Sequence, residues 1–171
     1  WMPINGPINW ELDFYDLKII ALDTSITGMA HGNLESISLD FLRASLSTAN
    51  GKPVLVATHH PPIITGLEKM DIQNLRDSAE LKEVLSAHTG ELKLICGHVH
   101  RNIVGQFGNK LCQIAPGVSH AVTMDLRTGA PNCLTKEPGS FLLHEIREGI
   151  LSHQILVDNY DGPFMFYPDS K

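Results

Sequence analysis

Residues 53–62 read PVLVATHHPP, and this stretch decides the fold class, because an apolar run stops abruptly at two histidines and two prolines. A run this short, apolar at nearly every position, is typical of a strand that is buried on both faces of a sheet. Pro61 and Pro62 cannot continue a central strand, because proline has no backbone N–H to donate. Two further runs of the same kind occupy residues 17–23 and 92–96. We therefore expect three buried strands in one open sheet.

The segments between these runs indicate helices. Leu39, Leu42 and Leu46 recur at helical spacing, with Ser38 as the expected N-cap, and the helix should end near Asn50-Gly51. A second helix is predicted from a cap at Ser78 or Asp77 to about residue 90. Residues 63–76 are predicted to form a loop with a short helical turn. The first hundred residues thus alternate strand and helix, which predicts the α/β class.

Beyond residue 102 the pattern changes to strands without a helix. A Gly108-Asn109 turn joins a predicted hairpin of residues 103–107 and 111–115. Further strands are expected over residues 120–126, 140–146 and 150–157, the last two forming a hairpin around Gly149. Residues 1–16 are expected to be a loop or a short edge piece.

Composition excludes several classes of function. The chain has 171 residues, 43% hydrophobic and 19% charged, which is typical of one globular domain or a large part of one. A net charge of −6 without a basic cluster argues against binding to duplex nucleic acid. No apolar run approaches the ~20 residues that a membrane helix needs. Three cysteines without a CxxC pair, and no secretory signal, favour a cytoplasmic protein without a disulfide framework.

Three of the nine histidines follow the ends of predicted strands. His59 follows the strand at 53–58, while His98 and His100 follow the strand at 92–96. Ligands of open α/β sheets gather at the carboxyl ends of the strands, so these loops should meet. His98 and His100 are two residues apart, and in an extended backbone their rings would point the same way. Imidazoles suit Fe, Mn or Zn, so the sequence predicts a metal site at this edge.

At these residues the chain resembles a known family. The pairing of THHPP at 58–62 with GHVH at 97–100, about 40 residues later, resembles the second half of the calcineurin-like metallophosphoesterases. Four further segments resemble the branch that contains class III cyclic-nucleotide phosphodiesterases and glycerophosphodiesterases. They are ALDT at 21–24, GLEKMD at 66–71, residues 75–85 and APGVSH at 115–120. The resemblance covers residues 17–157 and leaves 158–171 as a tail. It implies part of a four-layer α/β/β/α sandwich.

The resemblance also implies site residues, cofactors and a substrate. His59 and His98 would bind one metal ion and His100 a second, both divalent or trivalent transition metals such as Fe, Mn or Zn. His60 would be catalytic, close to the substrate or behind the metal ligands, and a purely structural role is the alternative. Met70, Asp71 and Asn74 lie in a loop that the family places beside its active site, where they would bind substrate. The substrate would be a small phosphodiester, either a cyclic nucleotide or a glycerophosphodiester.

Two neighbouring residues are left with open roles. His120 is interpreted as structural in preference to a residue that approaches the site. Arg101 directly follows GHVH and would either meet a phosphate or be a solvated charge. Asp23 is expected to have a turn or capping role.

The sequence departs from the family pattern in one respect. The family also has an Asp-x-His motif, a Gly-Asp-x-x-Asp motif whose first acid bridges the two metals, and a Gly-Asn-His motif. None of the three is found in this sequence: Gly32-Asn33 is followed by Leu34, and Gly108-Asn109 by Lys110. We therefore expect residues 1–171 to be the C-terminal portion of a single domain, with the N-terminal half absent and little activity alone. The alternatives are a non-catalytic interaction module or a phosphomonoesterase. Homo-oligomers or an exchange of segments between chains could complete the fold.

Overall fold

A computed structural model describes residues 6–167, which form ten strands and three helices. Residues 1–5 and 168–171 lie outside this range. They include the beginning of the predicted loop at 1–16 and the end of the predicted tail at 158–171. In chain order the elements are β1 Trp10–Asp13, β2 Lys18–Leu22, α1 Ser36–Ser47, β3 Val54–Thr58, α2 Glu68–Asp71, α3 Ala79–Ala87, β4 Leu92–Cys96, β5 Ile103–Phe107, β6 Lys110–Ile114, β7 Ala121–Val122, β8 Leu134–Thr135, β9 Ser140–Ile146 and β10 Ile150–Leu156.

Six strands form the main sheet, in the order β1-β2-β3-β4-β6-β5. The four central strands, β2, β3, β4 and β6, run parallel, and an antiparallel strand flanks them at each edge. The three strands predicted from apolar runs are β2, β3 and β4, so that prediction is confirmed. The register pairs Thr58 with Cys96, and Cys96 with Ile114. The carboxyl ends of these strands are therefore level, and the loops that follow them share one edge.

The helices cover one face of this sheet and form the core with it. Leu42 of α1 and Leu85 of α3 are fully buried in the same cluster as Val56 and Leu94. The predicted N-cap of the first helix is wrong. The cap is Glu35, and Ser38 lies inside α1, where its buried hydroxyl accepts a hydrogen bond of 3.0 Å from Asn9 Nδ2. The helix therefore begins at Ser36, three residues before the start that a cap at Ser38 would give.

In the second half of the chain the two predicted hairpins are confirmed, but the strand predicted between them is shorter than expected. The β5–β6 hairpin turns at Gly108-Asn109, and β9 pairs with β10 around Gly149. The strand predicted at 120–126 is reduced to β7, which pairs with a short strand that the pattern did not indicate, β8. Beyond β7 the chain leaves the strand, and the Asp125 carboxylate there accepts hydrogen bonds from Arg127.

The mixed sheet confirms the predicted α/β class and fits part of an α/β fold. Between residues 6 and 167 the other strands form two-stranded ribbons only, so the four-layer arrangement stays a prediction. In the same range, no helix is both long and apolar enough to cross a membrane.

The β9–β10 hairpin is attached to the main sheet by a polar contact that should depend on pH. Lys93 of β4 donates to Ser152 Oγ, which lies 2.8 Å from His144 Nδ1. Burial lowers the pKa of His144, and the charge of Lys93 lowers it further. In the unfolded chain this histidine has its ordinary pKa of about 6.5. Below about pH 6.5 the unfolded chain therefore binds more protons at this residue than the folded protein does. The contribution of His144 to stability is thus complete above about pH 6.5 and declines as the pH falls below it.

We expect His144→Gln to make unfolding less sensitive to acid. Urea unfolding of the metal-free chain should have a lower midpoint concentration at about pH 5.5 than at about pH 7.5. The difference between these two midpoints should be smaller in the variant than in the wild type. Burial also lowers the pKa of His59, His60, His88 and His98, so part of the dependence should persist. An unchanged difference between the two midpoints would contradict the assigned role of His144.

Candidate metal centre

Two loops at the carboxyl edge of the sheet bring the histidines together. β3 ends at Thr58 and is followed by His59-His60, while β4 ends at Cys96 and is followed by Gly97-His98. The backbone N–H of Gly97 donates to the carbonyl of His59 over 3.0 Å, which ties the two loops to each other. A Cβ at position 97 would lie 3.4 Å from His59 Nδ1, an ordinary packing distance, so the second loop lies directly against the ring of the first.

Three imidazoles form a compact cluster at this edge. One nitrogen from each of His59, His60 and His98 lies within 4.8 Å of the others. His98 Nδ1 and His59 Nε2 are 3.2 Å apart, so one ring donates to the other. His60 packs against both, with ring centroids 4.8 Å from His59 and 4.8 Å from His98. The predicted convergence of His59 and His98 is therefore found in the structure.

The backbone of the GHVH segment is left-handed rather than extended. His98 and His100 have φ angles of 71° and 56°, a region that side chains other than glycine enter at a cost. Between them Val99 is fully buried in the core cluster. The expectation that the two rings point the same way is therefore wrong: the chain coils around Val99, and His98 joins the cluster while His100 joins a different partner.

The pKa values of the cluster are lowered, which favours neutral rings, and one buried nitrogen has no hydrogen-bond partner. Burial, followed by the charges of His60, His59 and His100, lowers the pKa of His98 to about 4. Burial and the charge of His100 lower the pKa of His59. Neutral imidazole is the form that binds metals. Within the described part of the chain, His98 Nε2 is one of three buried side-chain polar atoms without a hydrogen-bond partner. A buried, unpaired imidazole nitrogen beside two more imidazoles fits a transition-metal ion.

His60 is held by a different part of the protein. It is 6% exposed, and its Nδ1 lies 2.8 Å from Thr24 Oγ1, which is itself buried. Gly32 approaches so closely that a Cβ there would overlap the His60 ring. Burial, then the charge of His59, lowers the pKa of His60. The loop that follows β2 therefore closes over His60 and packs it against the two rings of the cluster.

His100 pairs with a histidine that the sequence did not favour as a site residue. His100 Nδ1 lies 3.1 Å from His120 Nε2, and His120 Nδ1 lies 2.9 Å from Ser119 Oγ. Because the charge of His100 lowers the pKa of both His59 and His98, this pair adjoins the cluster. Sequence reasoning missed the contact of Thr24, and it considered His120 near the site but preferred a structural role for it. The ALDT and APGVSH segments were the only signals that pointed towards them.

The three residues predicted to bind substrate lie in the loop around α2. Asp71 accepts hydrogen bonds from the Thr65 and Gly66 backbones, at 2.8 and 2.9 Å, and from Asn74 Nδ2 at 3.1 Å. Asn74 also donates to the Ile63 carbonyl, and both Asn74 and Met70 are buried. The side chains of Asp71 and Asn74 thus organise the loop itself, and their contact with substrate stays a prediction.

Asp23 and Arg101 bind neighbouring groups of the protein. Asp23 accepts hydrogen bonds from the Ile8 and Ser25 backbones, at 3.0 and 2.9 Å, which is the turn role expected for it. Arg101 donates to the Val122 carbonyl and to both carboxylate oxygens of Glu137. Its charge is therefore paired rather than free to meet a phosphate.

Known proteins resemble this chain over most of its length. No family model matches it. It is 35% identical over 170 residues to the "Probable glycerophosphodiester phosphodiesterase GpdQ" of Arcobacter nitrofigilis, an alignment that covers 98% of this chain and 62% of that protein. It is 29% identical over 125 residues to the 3′,5′-cyclic adenosine monophosphate phosphodiesterase CpdA of Escherichia coli, covering 70% of this chain and 46% of that protein. The chain thus spans less than two thirds of these curated relatives.

A solved structure shares the fold. "GAP50 the anchor in the inner membrane complex of Plasmodium" superposes with a TM-score of 0.59 at 15% identity, covering 91% of this chain and 52% of that one. At this level of identity the similarity concerns the arrangement of strands and helices alone.

Proposed function

Because this chain aligns with the C-terminal portion of phosphodiesterases of the calcineurin-like metallophosphoesterase family, we propose that it supplies the histidine side of a metal centre that hydrolyses a small phosphodiester. The observation that carries this proposal is the cluster of His59, His60 and His98, with the buried His98 Nε2 unpaired. In this proposal His59 and His98 bind one ion and His100 a second. Both ions would be transition metals such as Fe, Mn or Zn.

Such ions would polarise the phosphoryl oxygens, lower the pKa of water and neutralise the charge that develops during in-line displacement. The chain's own residues prepare this chemistry. The Gly97–His59 hydrogen bond fixes the relative position of the two ligand loops, and the left-handed turn around Val99 directs His98 and His100 to different places. His60 packs against the rings of His59 and His98 and supports them. Its Nδ1 is already hydrogen-bonded to Thr24, so this nitrogen is not available to a metal ion.

The cluster's donor set limits what this chain should do alone. Of the residues described, three imidazoles compose the cluster, and no carboxylate is part of it. A bridging carboxylate is what the family resemblance implies for holding two ions together. The rest of the ligand set is proposed to come from segments other than residues 6–167. A homo-oligomeric state and a cytoplasmic location stay predictions from the sequence.

We expect the 171-residue chain to bind a divalent transition metal but to hydrolyse bis-p-nitrophenyl phosphate slowly. Calorimetric titration with Zn²⁺ or Mn²⁺ measures the first property, and absorbance at saturating metal measures the second. Whatever hydrolysis is observed should disappear with EDTA and return with added metal. Failure to bind any of these metals would reject the proposal, while binding followed by cleavage of p-nitrophenyl phosphate alone would favour a phosphomonoesterase. Rapid hydrolysis of the diester would show that the described ligands suffice and would contradict the expected incompleteness.

A further inference from the structure

The ring of His60 is covered by a loop that is itself held by a second loop. The covering loop, residues 24–33, is closed by a hydrogen bond of 3.0 Å from the Asn33 N–H to the Thr24 carbonyl. The Thr24 hydroxyl lies 2.8 Å from His60 Nδ1. Gly32 lies so close to the ring that a Cβ there would overlap it. The position of Gly32 therefore limits where the His60 ring can lie.

The covering loop is fixed by the α2 loop, which comprises residues 63–76. Gly32 and Leu75 form a parallel β-bridge. The Arg76 N–H donates to the Gly32 carbonyl over 2.9 Å, and the Gly32 N–H donates to the Asn74 carbonyl over 3.3 Å. Leu75 is buried in the core cluster, so the bridge is attached to the interior of the protein. Both polar backbone groups of Gly32 are therefore bound by the α2 loop.

The side chain of Asn74 holds the part of the α2 loop that carries this bridge. Asn74 is 6% exposed, and its Nδ2 donates to the Ile63 carbonyl over 2.8 Å and to Asp71 Oδ1 over 3.1 Å. These two bonds connect the bridge to the beginning of the loop and to the end of α2. Loss of the side chain should therefore loosen the hold of the α2 loop on Gly32.

A chain of contacts thus runs from the α2 loop to the histidine cluster. Asn74 holds the bridge to Gly32, Gly32 packs on the His60 ring, and that ring packs against His59 and His98. Extending the function proposed above, on which this step rests, we propose that Asn74 and Gly32 are positioning residues of the metal centre. They hold His60 against the two proposed ligands and so raise the metal affinity of the cluster without contacting an ion. This task of the α2 loop does not depend on contact with substrate.

Gly32→Ala tests the contact with the ring. The φ angle of Gly32 lies outside the left-handed range, so its backbone accepts alanine, but the added Cβ should displace the His60 ring. We expect the imidazole nitrogen signals of His60 to shift in nuclear magnetic resonance spectra of the metal-free 171-residue chain. Calorimetric titration should show Zn²⁺ affinity weakened by about 10-fold or more, as is typical when a residue that supports a ligand is changed.

Gly28→Ala is the matched control for this variant. Gly28 belongs to the same covering loop, and its φ of 77° makes alanine there strained, but a Cβ would meet nothing within 4 Å. The control therefore strains the loop without touching the ring. It should leave the His60 signals and the Zn²⁺ affinity unchanged.

Asn74→Ala tests the hold of the α2 loop. It should shift the same His60 signals and weaken Zn²⁺ binding by a smaller factor than Gly32→Ala. In the double variant the loss of affinity should be smaller than the product of the two single losses, because both changes act on one ring. Gln73→Ala is the control within the α2 loop, since its side chain donates only to the Lys69 carbonyl. Asn74→Ser, which keeps a donor, replaces Asn74→Ala if the latter does not fold.

The outcomes separate this positioning role from the function on which it rests. Unchanged His60 signals or unchanged affinity in Gly32→Ala would overturn the role of Gly32, and equal losses in Gly28→Ala would assign the effect to loop strain instead. Losses of Gly32→Ala and Asn74→Ala that multiply in the double variant would overturn the chain of contacts. A wild-type chain that binds no metal would reject the proposed function, while the His60 signals of the metal-free variants would still decide whether the α2 loop positions the ring.

Discussion

Substitution of His98 by alanine is expected to weaken binding of Zn²⁺ or Mn²⁺ by more than about 100-fold, because it removes a proposed metal ligand. Loss of a residue that only supports a ligand typically weakens metal binding by about 10- to 100-fold. His98 is the member of the cluster whose buried Nε2 has no hydrogen-bond partner, and its Nδ1 contacts His59. The variant therefore removes the proposed ligand and also the hydrogen bond that holds the His59 ring. Calorimetric titration of wild type and variant under the same conditions measures the difference.

The matched control for this experiment is His153→Ala. His153 is exposed on β10, outside the histidine cluster, so its loss should leave metal affinity within error of wild type. Equal weakening in both variants would indicate nonspecific binding to surface imidazoles. Retention of wild-type affinity by His98→Ala would exclude His98 as a ligand, and with it the metal centre proposed here.

Replacement of His60 by alanine is expected to destabilise the chain by about 3 kcal/mol, because it leaves a cavity in a closely packed site and a buried Thr24 hydroxyl without its partner. It should also weaken metal binding by about 10- to 100-fold, since His60 orients His59 and His98 through ring contacts. Urea unfolding of the metal-free chain measures the first effect, and calorimetry at a temperature where the variant is folded measures the second.

A conservative variant distinguishes positioning from coordination. His60→Asn places an amide near the position of Nδ1 and can keep the hydrogen bond to Thr24, so it should recover much of the stability and part of the metal affinity. Loss of stability without any loss of affinity would restrict His60 to a structural role. Loss of affinity as large as that of His98→Ala, in both His60 variants, would instead make His60 a ligand.

The convergence of His59 and His98 could be predicted from the sequence because parallel strands that end at the same level carry their following residues to the same edge. Local sequence does not specify the direction of each ring. The left-handed backbone at His98 and His100 flanks Val99, which is buried in a core contributed by distant strands and helices. The contact between His100 and His120 depends on Gly117, whose hydrogen atom admits the close approach.

The sequence by itself determined the α/β class, the three buried strands and the edge at which histidines collect, because apolar runs and the residues that interrupt them act locally. Only the tertiary structure decided which histidines share a cluster, that Thr24 holds His60, and that the α2 loop holds Gly32 over that ring. These contacts join residues about 20 to 40 positions apart along the chain. Their geometry is set by how the loops pack on the sheet and on one another, which no short stretch of sequence encodes.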